Sequence, residues 1–202
     1  MHIPTADTTE IEVLSFDEAL SSAARSDEYD VSKWLYAPNF YSEYRYILGT
    51  RGKTPRICVG INPSTAKPDD LDNTLKSVQR IAAGNGFDSF LMFNVYAKRA
   101  TRPDDMEKQC NLRLHEENMK AWRYLLSLAK EPAVWAAWGA IIEKRKYLPR
   151  CVADMLAISR EYDASWFCAG AIRKKGHPHQ PLYLRKDEKL KTFDTASYLS
   201  KL

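Results

Sequence analysis

Two proline-containing loops carry side chains that could hold a water molecule and stabilise an anion. Residues 60–65 (GINPST) follow an apolar run, and residues 176–183 (GHPHQPLY) lie near the C-terminus. Because proline fixes one backbone dihedral and removes a donor, Asn62 and His177 lie on stiff backbone. An amide that positions water and an imidazole that stabilises negative charge suit hydrolysis. We therefore predict that both loops belong to an active site.

Alternating strands and helices are predicted to position these loops. Apolar runs predict four strands, at residues 56–61, 89–95, 133–138 and 165–168. Capping residues and helical spacing predict helices at residues 73–83, 115–129 and 148–159. Because parallel strands need a covering helix at each crossover, we expect an α/β fold: a three-layer sandwich with a four-stranded, mainly parallel central sheet.

The length of the chain is typical of one domain. Its 202 residues are 45% hydrophobic, which is enough for one substantial core. We predict an N-terminal extension over residues 1–40, with a short helix at residues 16–25, and a single domain over residues 41–202. An aromatic, partly alternating stretch at residues 41–48 predicts an edge strand.

Polar or glycine-rich residues follow each predicted strand. Asn62 follows the first, Asn94 ends the second, Gly139 follows the third and His177 lies in the loop after the fourth. Ligands of open α/β sheets bind outside the carboxyl ends of the strands, so Asn62, Asn94 and His177 are expected to face one crevice. Each has a structural alternative: a turn before proline, a cap at a strand end, or an ordinary loop histidine. Their shared edge of the sheet favours a site.

Two basic loops lie on the same predicted edge. One contains Arg173, Lys174 and Lys175, and the other contains Lys98, Arg99 and Arg102. Cationic side chains beside a crevice suit the phosphates of a nucleic-acid backbone, although charge runs are commonly just solvated surface. The net charge of +4 and the pI near 8.8 permit a polyanionic partner without requiring one.

Composition argues against several classes of protein. No apolar run is long enough to span a bilayer and residues 1–28 lack the pattern of a secretion signal, so we expect a cytoplasmic protein with no membrane partner. The four cysteines include no Cys-x-x-Cys pair and are interpreted as buried thiols rather than iron–sulfur ligands. We expect no cofactor and no metal.

The order of the short motifs resembles a known family. The segments NPSTA, Asp72-Asn73-Thr74, FNVYAKRAT, WAAWGA and HPHQPLYL follow one another within residues 44–184. They closely resemble the uncharacterised domain-of-unknown-function family 1643. At a greater distance, four motifs resemble the uracil-DNA glycosylase superfamily, whose motifs are GQDPYH or GINPG, an apolar strand with Asn, WG, and HPSPLS. This remote resemblance implies a uracil-DNA glycosylase-like fold.

The superfamily resemblance implies hydrolysis of the N-glycosidic bond of a base flipped out of DNA. Asn62 falls where the superfamily orients the hydrolytic water. His177, or alternatively His179, falls on the histidine that stabilises the departing base, and Asn94 falls where an asparagine reads the base edge. The other implied contacts are Ile61 and Ser64 to the base, and Thr65, Lys98, Arg99, Arg173, Lys174, Lys175 and His179 to the DNA backbone.

Ser64 stands where the uracil-specific motif has a tyrosine that closes the pocket against substituents at C5 of the pyrimidine. The smaller side chain leaves room, which favours a mismatched or C5-modified pyrimidine in host or foreign DNA. Two other functions stay open: an N-glycosidase for free nucleosides or nucleotides, and a non-catalytic nucleic-acid-binding module. We expect DNA as the partner of a monomeric protein.

Overall fold

The sheet is larger than the sequence predicts. A computed structural model describes residues 11–202, and these contain seven strands in one mixed sheet. The strands are β1 (Trp34–Ala37), β2 (Ile47–Thr50), β3 (Pro55–Gly60), β4 (Ser89–Asn94), β5 (Ala133–Ala136), β6 (Ser165–Ala169) and β7 (Leu190–Thr192). Their spatial order is β1-β2-β4-β3-β5-β6-β7. The prediction of a four-stranded sheet was therefore wrong in its extent.

The four predicted strands form the centre of the sheet. β3 pairs in parallel with β4 and β5, and β5 pairs in parallel with β6. The added strands β1, β2 and β7 pair antiparallel. Each is only three or four residues long, too short to show a clear alternation in the sequence. The predicted edge strand overlaps β2 only at Ile47 and Leu48.

The helices cover the strands, and all but α4 of the five α-helices of residues 11–202 begin at a capping side chain. In residues 11–202 the α-helices are α1 (Phe16–Ser22), α2 (Asn73–Gly84), α3 (Leu112–Ser127), α4 (Leu148–Arg160) and α5 (Thr195–Leu199). The Asp72 side chain caps α2 by accepting a hydrogen bond from the backbone N–H of Leu75, and Asn111 caps α3 in the same way from Leu114. Within this described range, no helix has the length and apolar character needed to cross a membrane.

Both faces of the sheet are covered. Successive side chains of a strand point to opposite faces, so Ile57 and Val59 of β3 pack in one core and Cys58 packs in another. Residues of α1, α3, α4 and α5 belong to the first core. Residues of α2, including Val78, belong to the second. The fold is therefore a three-layer α/β arrangement around a mixed sheet.

The described part of the predicted N-terminal extension belongs to the same domain. β1 pairs with β2, and Phe16 of α1 is buried in the first core. The backbone N–H of Phe16 donates to Oε2 of Glu117 at 2.7 Å, and the N–H of Leu14 donates to the Tyr44 hydroxyl at 2.9 Å. Neither the sheet nor the core has a boundary after residue 40. Residues 1–10 of the predicted extension lie outside the described residues.

The order of the central strands creates a crevice at one end of the sheet. The chain runs from β3 to β4 on one side and then crosses to β5 on the other side of β3. The connections after β3 and β4 therefore leave the sheet in opposite directions. In open α/β sheets, this reversal at the carboxyl ends of the strands is the usual position of a ligand site.

Candidate functional site

A cleft of about 450 Å³ lies at the carboxyl ends of β3, β4 and β5. Its volume is within the usual range of small-ligand pockets. The loop after β3, the end of β4 and the loop after β5 contribute to its lining. The N-terminus of α2, residues 100–103 and residues 180–182 complete it. The cleft thus occupies the position that the strand order predicts.

Asn62 lines this cleft and is held in place through its amide nitrogen. Its Nδ2 donates to the carbonyl oxygens of Pro63 at 2.9 Å and Ala100 at 2.7 Å. Neither of these hydrogen bonds uses the side-chain oxygen Oδ1. Because an amide oxygen only accepts, the side chain can hold a donor such as a water molecule.

The loop that carries Asn62 is joined to the loop after β4. The backbone N–H of Ala100 donates to the carbonyl of Pro63 at 2.9 Å, and the N–H of Tyr96 donates to the carbonyl of Ile61 at 3.0 Å. The guanidinium of Arg99 donates to the carbonyl of Ser64. These bonds and the Asn62 side chain tie the two loops together.

Asn94 ends β4 and carries a buried, unpaired donor. The side chain is 1% exposed, and its Oδ1 accepts a hydrogen bond from Nη2 of Arg45 at 3.2 Å. Its Nδ2 has no hydrogen-bond partner among the described residues. Gly60 lies opposite Asn94 in the β3–β4 register, and a Cβ there would lie 3.0 Å from this Nδ2. The structure therefore brings Asn62 and Asn94 into one cleft.

The other residues of the first loop divide between the cleft and the surface. Ile61 and Ser64 line the cleft, with Ile61 buried and Ser64 partly buried. Thr65 is exposed and does not line it. The two residues predicted to contact a base thus lie in the cleft. Thr65, which is predicted to contact the DNA backbone, lies on the nearby surface.

His177 lies in the interior rather than in the cleft. It is 4% exposed and lines neither this cleft nor the neighbouring one. Its Nδ1 lies 2.9 Å from the hydroxyl of Tyr198, and its Nε2 lies 3.1 Å from Oε1 of Glu143. The prediction that Asn62 and His177 face one crevice was wrong, because Tyr198 and Glu143, neither of which lines the first cleft, hold the imidazole.

The hydrogen-bond pattern assigns the protons of this network. Trp138 Nε1 only donates, and it donates to the Tyr198 hydroxyl at 2.9 Å. Burial raises the pKa of Tyr198 to about 12, so the hydroxyl keeps its proton and donates it to Nδ1 of His177. Nε2–H of His177 then donates to Glu143, whose pKa is lowered first by Lys175 and next by His177. Both ring nitrogens of His177 are therefore bonded to protein groups, an arrangement that favours a structural role.

Replacing His177 tests this assignment. His177→Ala is expected to lower the free energy of unfolding by about 2 kcal/mol, because the Tyr198 hydroxyl loses a partner. Urea unfolding measures this loss. Tyr198→Phe, which removes the other partner of the same hydrogen bond, should also lower the free energy of unfolding. Any activity of the folded variant should fall less than about tenfold. A loss beyond about 10²-fold would restore a catalytic role for the imidazole.

Lys98 and Arg99 are buried, although the sequence predicts them on the surface. They are 2% and 0% exposed. Nζ of Lys98 lies 3.8 Å from Oε2 of Glu107. The Arg99 guanidinium donates to the carbonyl of Ser42 at 2.9 Å and to the hydroxyl of Tyr36 at 3.0 Å. Lys98 and Arg99 therefore do not lie on the surface from which the sequence predicts DNA-backbone contacts, because both side chains contact groups inside the protein.

A second cleft, of about 570 Å³, continues from the first. The two share Pro103, Ile141 and Gln180. Arg173 and His179 line the second cleft. Nη2 of Arg173 lies 2.8 Å from Nε2 of His179, and Nδ1 of His179 lies 2.8 Å from the carbonyl oxygen of Gln180. Since arginine only donates, His179 accepts at Nε2 and donates from Nδ1.

The rest of the basic run stays on the surface. Lys174 and Lys175 are exposed, and Nζ of Lys175 lies 2.8 Å from Oε1 of Glu143. Lys144 lines the second cleft and pairs with Asp104. The predicted cationic edge is therefore made by Arg102, the Arg173 loop and Lys144, without Lys98 and Arg99.

The structure adds three residues that the sequence does not single out for a role: Arg45, Asp72 and Gln180. Asp72 and Gln180 line the first cleft together with the predicted Arg102, and Arg45 supports Asn94 from behind it. Asp72 lies in the motif Asp72-Asn73-Thr74 and Gln180 lies in HPHQPLYL. These motifs could therefore have indicated both residues. Nothing in the sequence around Arg45 distinguishes it from a surface arginine.

The lining of the first cleft is rich in hydrogen-bonding groups. Amides come from Asn62, Asn73, Asn94 and Gln180, and hydroxyls come from Ser64, Thr74 and Thr101. Across residues 11–202, no group of three His, Cys, Asp or Glu side chains is arranged to hold a metal ion. The four cysteines are free thiols. Such a lining suits a ligand with several hydrogen-bonding groups.

Comparison with protein families agrees with the order of the motifs. A family model described as "Protein of unknown function (DUF1643)" matches residues 45–182, a range that contains every residue lining the first cleft. Comparisons with curated proteins and with solved structures give no match. Because the match covers more than half of the chain, the protein belongs to the DUF1643 family.

Proposed function

We propose that this protein hydrolyses the N-glycosidic bond of a nucleobase turned out of DNA into the first cleft. One observation carries the proposal: two asparagines from neighbouring parallel strands enter one cleft with opposite hydrogen-bonding capacities. Asn62 offers an acceptor for water, and Asn94 offers a buried donor for the edge of a base. A water and a flipped base are the two components that such a reaction must hold.

The proposed chemistry relies on positioning. The bond between the base and C1′ of the sugar breaks with its electron pair going to the base, and the water held by Asn62 forms the new bond to C1′. The proton that the water loses restores the charge balance of the departing base. An amide oxygen is a weak base, so the rate would depend on water placement and on stabilising the base anion.

Asp72 provides the negative charge that this reaction can use. It is the one carboxylate that lines the first cleft within the described residues. One of its oxygens, Oδ1, accepts from the backbone N–H of Leu75 at 2.9 Å. In the proposed reaction, the carboxylate stabilises the positive charge that develops on the sugar as the bond breaks.

Asp72→Asn removes the negative charge of the side chain and keeps its capping role. Asparagine caps helices about as well as aspartate, so the free energy of unfolding should change by less than about 0.5 kcal/mol. Base release should slow by about tenfold, because the sugar cation loses a nearby negative charge. Single-turnover rates and urea unfolding measure the two effects. An unchanged rate would remove Asp72 from the proposed mechanism.

The second cleft supplies a path for the DNA backbone. It adjoins the first and is lined by Arg173, Lys144 and His179, with Lys174 exposed in the same loop as Arg173. Thr65 is exposed beside the first cleft. Cationic side chains next to a base-sized cleft suit a nucleotide whose phosphates stay outside.

Ser64 supports a substrate with a substituent at C5. Its side chain lines the cleft and is small, so it leaves space that a tyrosine would fill. We therefore propose a mismatched or C5-modified pyrimidine as the base. The same proposal includes a uracil-DNA glycosylase-like form of the fold, a monomeric state, the lack of a cofactor and a cytoplasmic location.

Incubation with defined oligonucleotides tests the function. Duplex and single-stranded DNA carrying uracil, mismatched thymine or C5-substituted cytosine is incubated with the protein, and alkali-labile abasic sites are counted. The wild-type protein should form abasic sites on at least one substrate, and Asn62→Ala should lose them. Glu131→Ala is a control, because Glu131 is exposed just before β5, at the opposite end of that strand from the cleft.

Other outcomes would favour the alternative functions. Base release from free nucleosides but never from DNA would indicate an N-glycosidase for small molecules. Binding of DNA that weakens with salt, without any base release, would indicate a non-catalytic nucleic-acid-binding module. Either result would overturn the proposed DNA glycosylase activity.

A further inference from the structure

Two cysteine side chains meet where α3 and α4 begin. Cys110 lies in the loop before α3, next to the capping residue Asn111, and is partly buried. Cys151 lies near the start of α4 and is 1% exposed. The thiol of Cys151 donates a hydrogen bond to the sulfur of Cys110. Neither cysteine lines the first or the second cleft, so the pair is separate from the site described above.

Other contacts hold the same two segments together on both sides of the thiols. Nε2 of His115, near the start of α3, lies 2.9 Å from Oδ2 of Asp154 in α4. On the other side, the hydroxyl of Tyr147 donates to the carbonyl of Glu107 at 3.2 Å. The loop that carries Cys110 is therefore fixed against the start of α4 by contacts that do not involve sulfur.

The surroundings make the two sulfurs chemically unequal. The hydrogen bond from Cys151 lowers the pKa of Cys110, although burial and the charge of Glu107 act against it. The pKa of Cys151 is raised, first by its hydrogen bond to Cys110 and then by burial. The thiolate is the reactive form of cysteine, and Cys110 is also the more exposed of the two. An oxidant should therefore react first with Cys110.

The other two cysteines are placed differently. Cys58 is 0% exposed and Cys168 is 4% exposed, and burial raises the pKa of both thiols. Cys168 packs in the first core and Cys58 in the second, so the sheet separates them from each other. Buried thiols in apolar surroundings are unreactive. The pair at α3 and α4 is thus the arrangement suited to thiol chemistry.

We propose that Cys110 and Cys151 form a redox modification site, in which a peroxide oxidises Cys110 and Cys151 converts the product to a disulfide. The Cys110 thiolate attacks one oxygen of hydrogen peroxide, the O–O bond breaks, and Cys110 becomes a sulfenic acid. The hydroxide that leaves takes up the proton that Cys110 released and forms water. The sulfur of Cys151 then attacks the Cys110 sulfur, and the S–O bond breaks. The second hydroxide leaves with the proton of Cys151 as another water molecule.

The position of Cys110 allows the sulfurs to approach. An S–S bond is about 2.05 Å long, so two hydrogen-bonded sulfurs must move closer before they can join. The first backbone hydrogen bond of α3 runs from the N–H of His115 to the carbonyl of Asn111. Cys110 lies outside this bond and can follow its sulfur without disturbing the helix. A dithiol reductant would reverse the modification by thiol–disulfide exchange.

Mass spectrometry of the full chain tests the site. After treatment with hydrogen peroxide, the protein should lose the mass of two hydrogen atoms, and peptide mapping should link Cys110 to Cys151. Dithiothreitol should restore the reduced mass. Cys168→Ala is the matched control and should form the same disulfide within about twofold of the wild-type rate. No linkage, or linkage of other cysteines, would overturn the proposal.

Two substitutions separate a paired site from a single reactive thiol. In Cys151→Ser, oxidation should stop at the sulfenic acid of Cys110, and trapping by dimedone should be at least about tenfold greater than in wild type. In Cys110→Ser, the buried Cys151 should stay unmodified under the same conditions. Equal trapping in wild type and Cys151→Ser, or oxidation of Cys151 in Cys110→Ser, would overturn the assigned roles.

A measurement on the wild-type protein covers the case in which these variants do not fold. The oxidised protein should unfold at a Tm about 5 °C above that of the reduced protein, because the cross-link restricts the unfolded chain. An equal or lower Tm would mean that the native fold does not hold the two sulfurs where they can bond, and would overturn the proposal.

Discussion

Asn62→Asp is expected to slow base release by at least about 10²-fold, although it adds a carboxylate that could act as a general base. The Nδ2 of Asn62 donates to the carbonyl oxygens of Pro63 and Ala100. A carboxylate in its place would put an oxygen against each of them. The loss of two hydrogen bonds and the new repulsion should lower the free energy of unfolding by about 2–4 kcal/mol at pH 7.

The loss of unfolding free energy in Asn62→Asp should increase as the pH rises. Two facing carbonyl oxygens favour the protonated carboxyl, so its pKa in the folded state should lie above the unfolded value. Between these two pKa values the folded state binds more protons, and stability falls as pH rises. The deficit relative to wild type should therefore be smaller at pH 4 than at pH 7.

Urea unfolding at both pH values and single-turnover base release measure these effects. Asn62→Ala is the matched control, because it removes the amide without adding a charge, and its deficit should not change with pH. Faster base release by Asn62→Asp, or an equal deficit at both pH values, would show that the amide does not need to tie the two loops together.

Trp122→Ala is expected to lower the free energy of unfolding by about 3–5 kcal/mol. Trp122 in α3 is 0% exposed, and its ring lies 5.0 Å from the ring of Phe93 in β4 and 6.0 Å from that of Trp166 in β6. Its Nε1 donates to the carbonyl of Met155 at 3.1 Å. The side chain thus joins α3 and α4 to the sheet. A loss of this size is a large fraction of typical domain stability.

Thermal and urea unfolding of Trp122→Ala measure this loss. Trp122→Phe is the matched control. It keeps most of the apolar volume, and Ser159 still has the carbonyl of Met155 as a partner at 2.7 Å, so the cost should be below about 2 kcal/mol. A loss under about 1 kcal/mol in Trp122→Ala would mean that the first core can close around the missing ring.

The central strands could be predicted closely from the sequence. The run predicted at residues 56–61 corresponds to β3 at Pro55–Gly60, and the run at residues 89–95 corresponds to β4 at Ser89–Asn94. Both are buried on two faces, so they appear in the sequence as continuous apolar runs. β1 and β7 pair at the edges of the sheet over a few residues, and their pairing depends on partners that are distant in the chain.

The candidate site was predictable where it depends on strand ends. Asn62 and Asn94 follow neighbouring strands, and the topology alone brings them together. The burial of Lys98, Arg99 and His177 was not predictable. Each is buried by partners from other segments, such as Glu107 for Lys98, and no local pattern distinguishes such a side chain from a solvated one.

The bonds between the loop after β3 and the loop after β4 have a consequence for exchange with solvent. The backbone N–H groups of Tyr96 and Ala100 lie in loops, yet they donate to the carbonyls of Ile61 and Pro63, and both residues are buried. Their deuterium exchange should therefore require opening on the scale of the whole domain, with protection like that of β4. A ligand would then meet loops that are already ordered, and binding would cost little ordering entropy.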